Sequence, residues 1–382
     1  MATKSEQFIN SINENVFFRE FTFSENEFID NNSKMKLEVA DNIVWIDQLL
    51  FITQIKERNE LETGSIEKWF QNKVINKAVK QIKNTHKYLN IYRDISIINN
   101  KGHSRNLSES ANAERYSLIC YMPGENFVES LHYRKFYESS EVGLIHLFHA
   151  EDYMWICRYL ITPAEIEEYL IFREALHRDQ RNVINQLPEQ YVLGHFLKTI
   201  ETDHIKPEYI NNIQKFVRDE IKDFDISHIV KQFEDKIVFG NTNTQYYFIL
   251  QELALLNRAD LKHFKTRFER TYEMAKKQEQ VLPYRMYVPR TDCAFVFMPI
   301  RRCDHEHWQN GLNNITELHK YDSKAFRCVG LMMCHHENQM IDMWWSYLEG
   351  EHVQDDEFDK ILQEQSPFRE VNTKRYDNRY GF

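Results

Sequence analysis

Asp41, Gln54 and Lys56 are the residues of this chain whose types and spacing could do chemistry. They lie in a stretch, residues 38–57, that reads Glu-Val-Ala-Asp-Asn-Ile-Val-Trp-Ile-Asp-Gln-Leu-Leu-Phe-Ile-Thr-Gln-Ile-Lys-Glu. Two apolar runs, Ile43–Ile46 and Leu49–Ile52, flank the polar pair Asp47 and Gln48, which is the pattern of a tight β-hairpin. With Asp47 and Gln48 as the loop, Ile46 pairs with Leu49, and counting back sets Asp41 across from Gln54. Lys56, two residues further on, projects from the same face as Gln54. A carboxylate, an amide oxygen and an ammonium therefore meet at the open end of the hairpin. Such a group can hold a divalent cation and a phosphate.

The elements around the hairpin must hold these groups in place. Ile43, Trp45, Leu50 and Ile52 fall on one face of the strand pair; Val44, Ile46, Leu49, Phe51 and Ile55 fall on the other. Strands that are apolar on both faces belong inside a sheet covered on both sides. A helix is expected before the hairpin over residues 4–18. A second is expected after it, from Ser65 as N-cap to about Leu89, with Ile66, Phe70, Val74, Ala78 and Ile82 at helical spacing. Lys73, Lys77, Lys80 and Lys87 form a basic stripe beside that apolar face, a candidate track for a phosphate backbone. Between the hairpin and this helix lies a charged turn, Lys56 to Gly64. Short strands are expected at Ile95–Ile98, Ser117–Met122 and Gly143–Phe148.

The order helix, acid, hairpin, Gln-x-Lys, helix resembles the PD-(D/E)XK nuclease superfamily over roughly residues 1–125. The resemblance implies a restriction-endonuclease-like core, a mixed sheet flanked by helices. Asp41 matches the acid that opens the second strand, Gln54 the variable first position of the (Glu/Asp/Gln)-x-Lys motif, and Lys56 its lysine. Glu38 resembles the additional acid of some branches. The implied activity is Mg²⁺- or Mn²⁺-dependent hydrolysis of phosphodiesters, with DNA favoured over RNA as substrate and defence against foreign DNA as a role. Asp41, Gln54 and Glu38 would be the metal ligands and Lys56 the group that activates water or stabilises the anionic transition state. Glu38 and Asp41 are three apart, so an ideal strand points them to opposite faces. Either the chain bends near Ala40, or the second acid is Glu6, Glu14, Glu25 or Glu27. The rival reading is a catalytically inactive nuclease-fold scaffold or sensor that binds nucleic acid or a protein partner.

The chain has 382 residues, of which 42% are hydrophobic and 14% aromatic, enough for a sizeable core and more than one domain. The expected division is a nuclease-like α/β domain over 1–150, a mainly helical middle over 151–239, and an α+β accessory region over 240–382. In the middle, Thr162-Pro163-Ala164-Glu165 opens a helix with a cap, a first-position proline and a capping-box glutamate. Residues 188–236 read as mostly helical, with Pro188 and Pro207 as breaks. One long amphipathic helix is expected over 244–277. Strands follow at Arg285–Val288, Cys293–Met298, Phe326–Met333 and Met340–Trp345, and helices near Trp308–His319 and Asp356–Gln363.

The net charge of −10 argues against a chain coated in nucleic acid and leaves room for one local basic surface. Six dispersed cysteines form no disulfide framework, and no apolar run is long enough to span a bilayer. A cytoplasmic protein without a membrane partner is expected, with a regulatory protein or a second copy of the chain as possible associates. Cys303, His305, His307, Cys328, Cys334 and His335 have zinc-ligand chemistry but not the spacing of a zinc ribbon or of His-Glu-x-x-His, so zinc is not expected. The aromatic stretch Met340–Tyr347 reads as core packing or a dimer interface in preference to a base-stacking surface.

Overall fold

Asp47 adopts a left-handed backbone, φ 50°, which turns β4 (Asn42–Ile46) back into β5 (Leu49–Glu57). A short polar side chain tolerates this conformation better than a branched one. Trp45 Nε1 donates to Asp47 O at 2.9 Å and fastens the turn. The antiparallel register runs from Ile46↔Leu49 to Asn42↔Thr53, as the sequence pattern requires.

This computed structural model describes residues 3–24, 26–30, 34–59, 64–124, 127–202, 204, 206–211, 213, 221–237, 244–337, 340–370 and 379–381. They divide into two compact units, 1–217 and 218–381. The helices that follow residue 150 pack on the N-terminal sheet and on one another, and those up to residue 198 fall within the first unit. Part of the stretch read as helical over 188–236, and residues 60–63 of the charged turn, lie outside the described residues.

The N-terminal unit is built on a mixed sheet. Besides the hairpin it holds β1 (Thr22–Phe23), β8 (Glu114–Met122), β9 (Phe136–Ser139) and β10 (Gly143–His149), in the order β1-β4-β5-β8-β10-β9. Two small ribbons complete its strands: β2 (Glu27–Ile29) with β3 (Lys36–Glu38), and β6 (Ser96–Ile98) with β7 (Ser104–Asn106). β5 runs parallel to β8, and a parallel pair needs a crossover. Here the crossover is helical, from Ile66 to Ile91. Ser65 caps it as expected, its side chain accepting from Lys68 N.

The crossover helix departs from the expected continuous α-helix. It consists of α2 (Ile66–Trp69), a π-helical stretch from Phe70 to Ala78, and α3 (Val79–Ile91). Its apolar residues step by four, ahead of the α-helical turn of about 3.6 residues, and an i→i+5 stretch takes up that drift. Phe70, Val74, Ala78 and Ile82 thereby all stay buried.

Both faces of the hairpin are covered. Ile43, Trp45, Leu50 and Ile52 pack with Leu89, Ile95 and Leu107. On the other face α1 (Lys4–Val16) meets β4, β5 and β8, and Phe17 at its end lies 5.2 Å from the Phe51 ring. Beyond α4 (Glu129–His132), α5 (Ala150–Tyr159) continues directly from β10 and packs on β8 and β10. α6 (Pro163–Asp179) starts at the expected Thr162 cap with Pro163 in the first position, followed by α7 (Arg181–Ile184) and α8 (Glu189–Lys198).

The C-terminal unit carries a four-stranded sheet, β11 (Tyr284–Val288), β12 (Cys293–Ile300), β13 (Arg327–His335) and β14 (Ile341–Glu349), paired in chain order. The expected helix over 244–277 is two helices, α9 (Tyr246–Ala254) and α10 (Arg258–Lys277). Asn257 separates them, its side chain accepting from Asp260 N as an N-cap. An Asn with an acid three residues on competes as a cap with the helix interior, a signal the periodicity alone conceals. α10 packs Phe264 against Phe295 and Phe297, while α11 (Trp308–Ser323) packs Ile315 and Leu318 against Ala294 and Val296. Gly330 on β13 lets α11 approach closely; a Cβ there would run into Thr316 Oγ1 and meet Leu312 Cδ1 at 3.0 Å. α12 (Asp356–Gln365) follows the sheet. Among the described residues no helix is long and apolar enough to cross a membrane.

Candidate functional site

The ladder between β4 and β5 stops at Asn42↔Thr53, and Asp41 takes over where the backbone pairing ends. Its Oδ2 accepts from Ile55 N at 2.5 Å and from Lys56 Nζ at 2.8 Å. A carboxylate thus supplies the acceptor that a longer β4 would have given to Ile55, which keeps a half-buried amide satisfied. Lys56 Nζ also donates to Gln54 Oε1 at 3.2 Å and to the carbonyl oxygen of Ile55 at 2.8 Å. Three oxygens of different chemical origin therefore surround one ammonium. Asp41, Gln54 and Lys56 come together as their spacing predicts; the Ile55 carbonyl has no sequence signature and joins them only in the fold.

The corner is sheltered. The Lys56 and Asp41 side chains are 11% and 6% exposed, and Gln54 is 1% exposed. Withdrawing an ion pair from water costs several kcal/mol per ion unless its remaining hydrogen-bonding capacity is filled, and here Lys56 has three acceptors. In the neighbouring strand Tyr121 is in register with Lys56 and Ile119 with Gln54. Burial raises the Tyr121 hydroxyl well above the usual phenol range.

Glu38 ends β3, and Val39 and Ala40 carry the chain from that ribbon into the main sheet. The bend is held by hydrogen bonds. Thr85 Oγ1 donates to Val39 O, Val39 N donates to Asn26 O at 2.8 Å, and Asn26 Nδ2 donates to Ala40 O at 3.2 Å. Strand alternation therefore does not apply between Glu38 and Asp41. Burial raises the Glu38 carboxyl first, and the charge of Asp41 raises it further, with Glu6 and Glu27 adding to this and Lys56 opposing it. Of the alternative acids, Glu6 belongs to the capping box of α1, and Glu14 accepts from Asn100 Nδ2 at 2.8 Å. Glu27 faces Glu38 across the β2–β3 ribbon and pairs with Lys36, and Glu25 lies outside the described residues. No three of these carboxylates gather within 4.8 Å of one another among the described residues.

A second polar group stands on the other face of β4, and the sequence reading missed it. Asn42 Oδ1 accepts from Asn13 Nδ2 at 2.6 Å, Asn42 Nδ2 donates to Asn10 Oδ1 at 2.7 Å, and Tyr153 donates to Asn13 Oδ1 at 2.7 Å. Asn10 and Asn13 recur at helical spacing on α1, which is the signal that could have revealed them. Beside this, Glu57 Oε2 accepts from Ser5 N at 3.0 Å at the start of α1. Both contacts tie α1 to the hairpin next to Asp41 and Lys56.

Lys73, Lys77, Lys80 and Lys87 are all exposed along the crossover helix. The zinc-type residues of the tail do not assemble as a set: Cys328 and Cys334 are buried in β13 within apolar clusters, while Cys303 is exposed. In the aromatic stretch, Trp345 is buried against Phe233, and Trp344 stacks on Trp308 at 4.7 Å. Two cavities lie elsewhere in the N-terminal unit, about 160 Å³ beside Asp152 and Glu189 and about 270 Å³ beside Glu138 and His177. The Asp41 corner lines neither. No protein-family model, curated protein or solved structure matches this chain.

Proposed function

We propose that this protein is a metal-dependent nuclease whose site is the corner formed by Asp41, Gln54, Ile55 and Lys56. The observation that carries this reading is the meeting of an Asp41 carboxylate oxygen, Gln54 Oε1 and the Ile55 carbonyl oxygen around Lys56 Nζ. A carboxylate, an amide oxygen and a backbone carbonyl form a hard-oxygen donor set suited to Mg²⁺ or Mn²⁺. Asp41, Gln54 and the Ile55 carbonyl would hold the ion, with Glu38 close enough to Asp41 to add charge. When bound, such an ion supplies a polarised water and stabilises negative charge on a phosphoryl group.

The chain's own groups do the rest. Lys56, which an ion on these oxygens would displace from them, would then offer its ammonium to a phosphate oxygen or move a proton at the attacking water. The Thr85, Asn26 and Asn42 hydrogen bonds hold the backbone that presents Asp41. The order of elements supports the same reading: α1, three antiparallel strands, a helical crossover and then a strand parallel to β5. The lysines at 73, 77, 80 and 87 would follow the backbone of a nucleic acid, DNA in preference to RNA. A cytoplasmic role in defence against foreign DNA, with a protein partner or a second copy as regulator, completes the proposal.

The closed Lys56–Asp41 pair favours a second reading, a catalytically inactive scaffold in which the corner is only a structural ion pair. Incubating the full chain with plasmid, single-stranded DNA and RNA, with and without Mn²⁺, separates the two. Metal-dependent cleavage that falls roughly 10²- to 10³-fold in Asp41→Asn and Lys56→Met supports the nuclease. Absence of cleavage on all three substrates, or full activity in both folded variants, ends it.

A further inference from the structure

β13 and β14 are antiparallel, with Cys334 opposite Asp342 and His335 opposite Ile341. His336 lies one residue beyond β13, where its N–H donates to Met340 O at 2.8 Å and the chain turns back. The turn brings His336 Nε2 to 2.7 Å from Asp342 Oδ2. A second segment, the short 3₁₀ turn Arg302–His307, is clamped against the same strand end. Arg302 Nε donates to His335 O at 2.9 Å, and Arg302 N donates to Gln278 Oε1 at 2.8 Å. Gln278, left-handed at the end of α10, donates its own Nε2 to that His335 carbonyl at 3.2 Å.

This clamp delivers His305. Its Nε2 stands 3.6 Å from Asp342 Oδ2, and its ring centroid stands 5.3 Å from that of His336. One ligand atom from each of His305, His336 and Asp342 falls within 4.8 Å of the other two, the one such group of three among the described residues. His305 Nε2 is shielded from solvent and has no hydrogen-bond partner. At 3.6 Å it is too far from the carboxylate for a hydrogen bond, and a buried nitrogen left without a partner is unfavourable. Trp344, 5.4 Å from the His305 ring and stacked on Trp308, walls one side.

We propose that His305, His336 and Asp342 bind one divalent transition-metal ion of the zinc class. Two imidazoles and a carboxylate suit Zn²⁺, Co²⁺ or Fe²⁺ and are a poor set for Mg²⁺ or Ca²⁺. Ligands at about 2.0–2.2 Å in a tetrahedron stand roughly 3.3–3.6 Å apart. The His305–Asp342 separation of 3.6 Å already fits, and the His336–Asp342 contact of 2.7 Å opens slightly to admit the ion. Three protein ligands leave a position for water or an anionic ligand, the arrangement of reactive rather than closed structural sites. The ligands differ from the set the sequence offered: His336 replaces His335, Asp342 joins, and the buried cysteines of β13 take no part.

The test uses the full-length chain freed of metal with a chelator, then titrated with Co²⁺ and back-titrated with Zn²⁺. Wild type and Asp41→Asn are both expected to take one equivalent of Co²⁺ with a visible d–d band that Zn²⁺ displaces and excess Mg²⁺ does not. His336→Gln and Asp342→Asn, shown folded by circular dichroism and an unchanged thermal transition, are expected to bind more than about 100-fold more weakly. His307→Gln, a neighbour outside the cluster, is expected to bind as wild type. No band at one equivalent in wild type, or equal binding in the folded His336→Gln and Asp342→Asn variants, overturns the proposal and leaves a hydrogen-bonded hairpin end.

Discussion

The Asp41 corner and the His305–His336–Asp342 corner are built on the same backbone device with different donors. Each lies where an antiparallel strand pair ends and the next chain segment is pinned by hydrogen bonds to carbonyl groups. In the N-terminal unit the pinned segment is Val39–Ala40, held by Thr85 and Asn26. In the C-terminal unit it is the Arg302–His307 turn, held by Arg302 and Gln278. The first corner gathers oxygens around an ammonium; the second gathers imidazole nitrogens and one carboxylate. On the two proposals, each corner would hold a metal cation, and donor chemistry would decide which cation. The two sites are therefore expected to be separable by metal as well as by mutation.

The units also differ in how they use buried charge, and this gives the largest expected effect. In the N-terminal unit Glu189 is bound by Arg173 at 2.7 Å, by Tyr169 at 2.5 Å and by Lys135 at 3.4 Å. Burial pushes the Glu189 carboxyl up, yet Arg173, Lys135 and the hydrogen bonds prevail and hold it down at about 2. Glu189→Gln strands two buried cations and is expected to destabilise the N-terminal unit by about 3–5 kcal/mol. Chemical denaturation should show that unit unfolding earlier, with the C-terminal transition unmoved; a single shifted transition would mean the units do not unfold independently. The carboxyl's stabilisation is present above about pH 4.5 and lost as pH falls towards 2.

Next in size is the catalytic contrast. Asp41→Asn is expected to remove Mn²⁺-dependent cleavage by roughly 10²- to 10³-fold, about 3–4 kcal/mol, while Co²⁺ uptake at the C-terminal corner persists. Loss of both activities together would break the comparison.

Acid should act on the C-terminal unit through His319, which burial lowers to about 4 despite the nearby Met286 carbonyl. A histidine depressed in the fold protonates first in the unfolded chain, so its neutral form stabilises above pH 6.5 and that contribution is lost between pH 6.5 and 4. The loss is roughly 3 kcal/mol, readable as a falling C-terminal midpoint across that window. His319→Phe should flatten the dependence. His86 in the N-terminal unit is also lowered to about 4, by burial and then by Arg115, so both units should weaken over the same window.

The smallest expected effect is steric. Gly330→Ala forces β13 from α11 at Thr316, at a cost of about 1–3 kcal/mol. It should lower the C-terminal transition and leave the cleavage proposed for the Asp41 corner unchanged.

Much of this was legible in the residues. The hairpin register followed from two apolar runs and a polar pair, because a two-residue loop between the runs fixes which residues face each other across the strands. That register alone set Asp41 beside Gln54 and Lys56. Ser65, Thr162 and Pro163 marked helix starts, since caps act within one turn. The break at Asn257 and the π-helical stretch at Phe70–Ala78 were hidden, because periodicity averages over several turns and conceals a single competing cap or a widened turn.

By itself, then, the sequence determined the register of one strand pair, the hairpin of β4 and β5, and which side chains share its open end. These are short-range consequences of pattern and turn chemistry. Only the tertiary structure decided that Ile55 lends its carbonyl, that Asn10, Asn13 and Tyr153 fasten Asn42, and that the helices after residue 150 belong with the first sheet. It alone brought His305 to His336 and Asp342, because that meeting depends on Arg302 and Gln278 clamping a distant turn to a strand end. Contacts between segments far apart in the chain are set by how whole faces pack, and no local pattern records them.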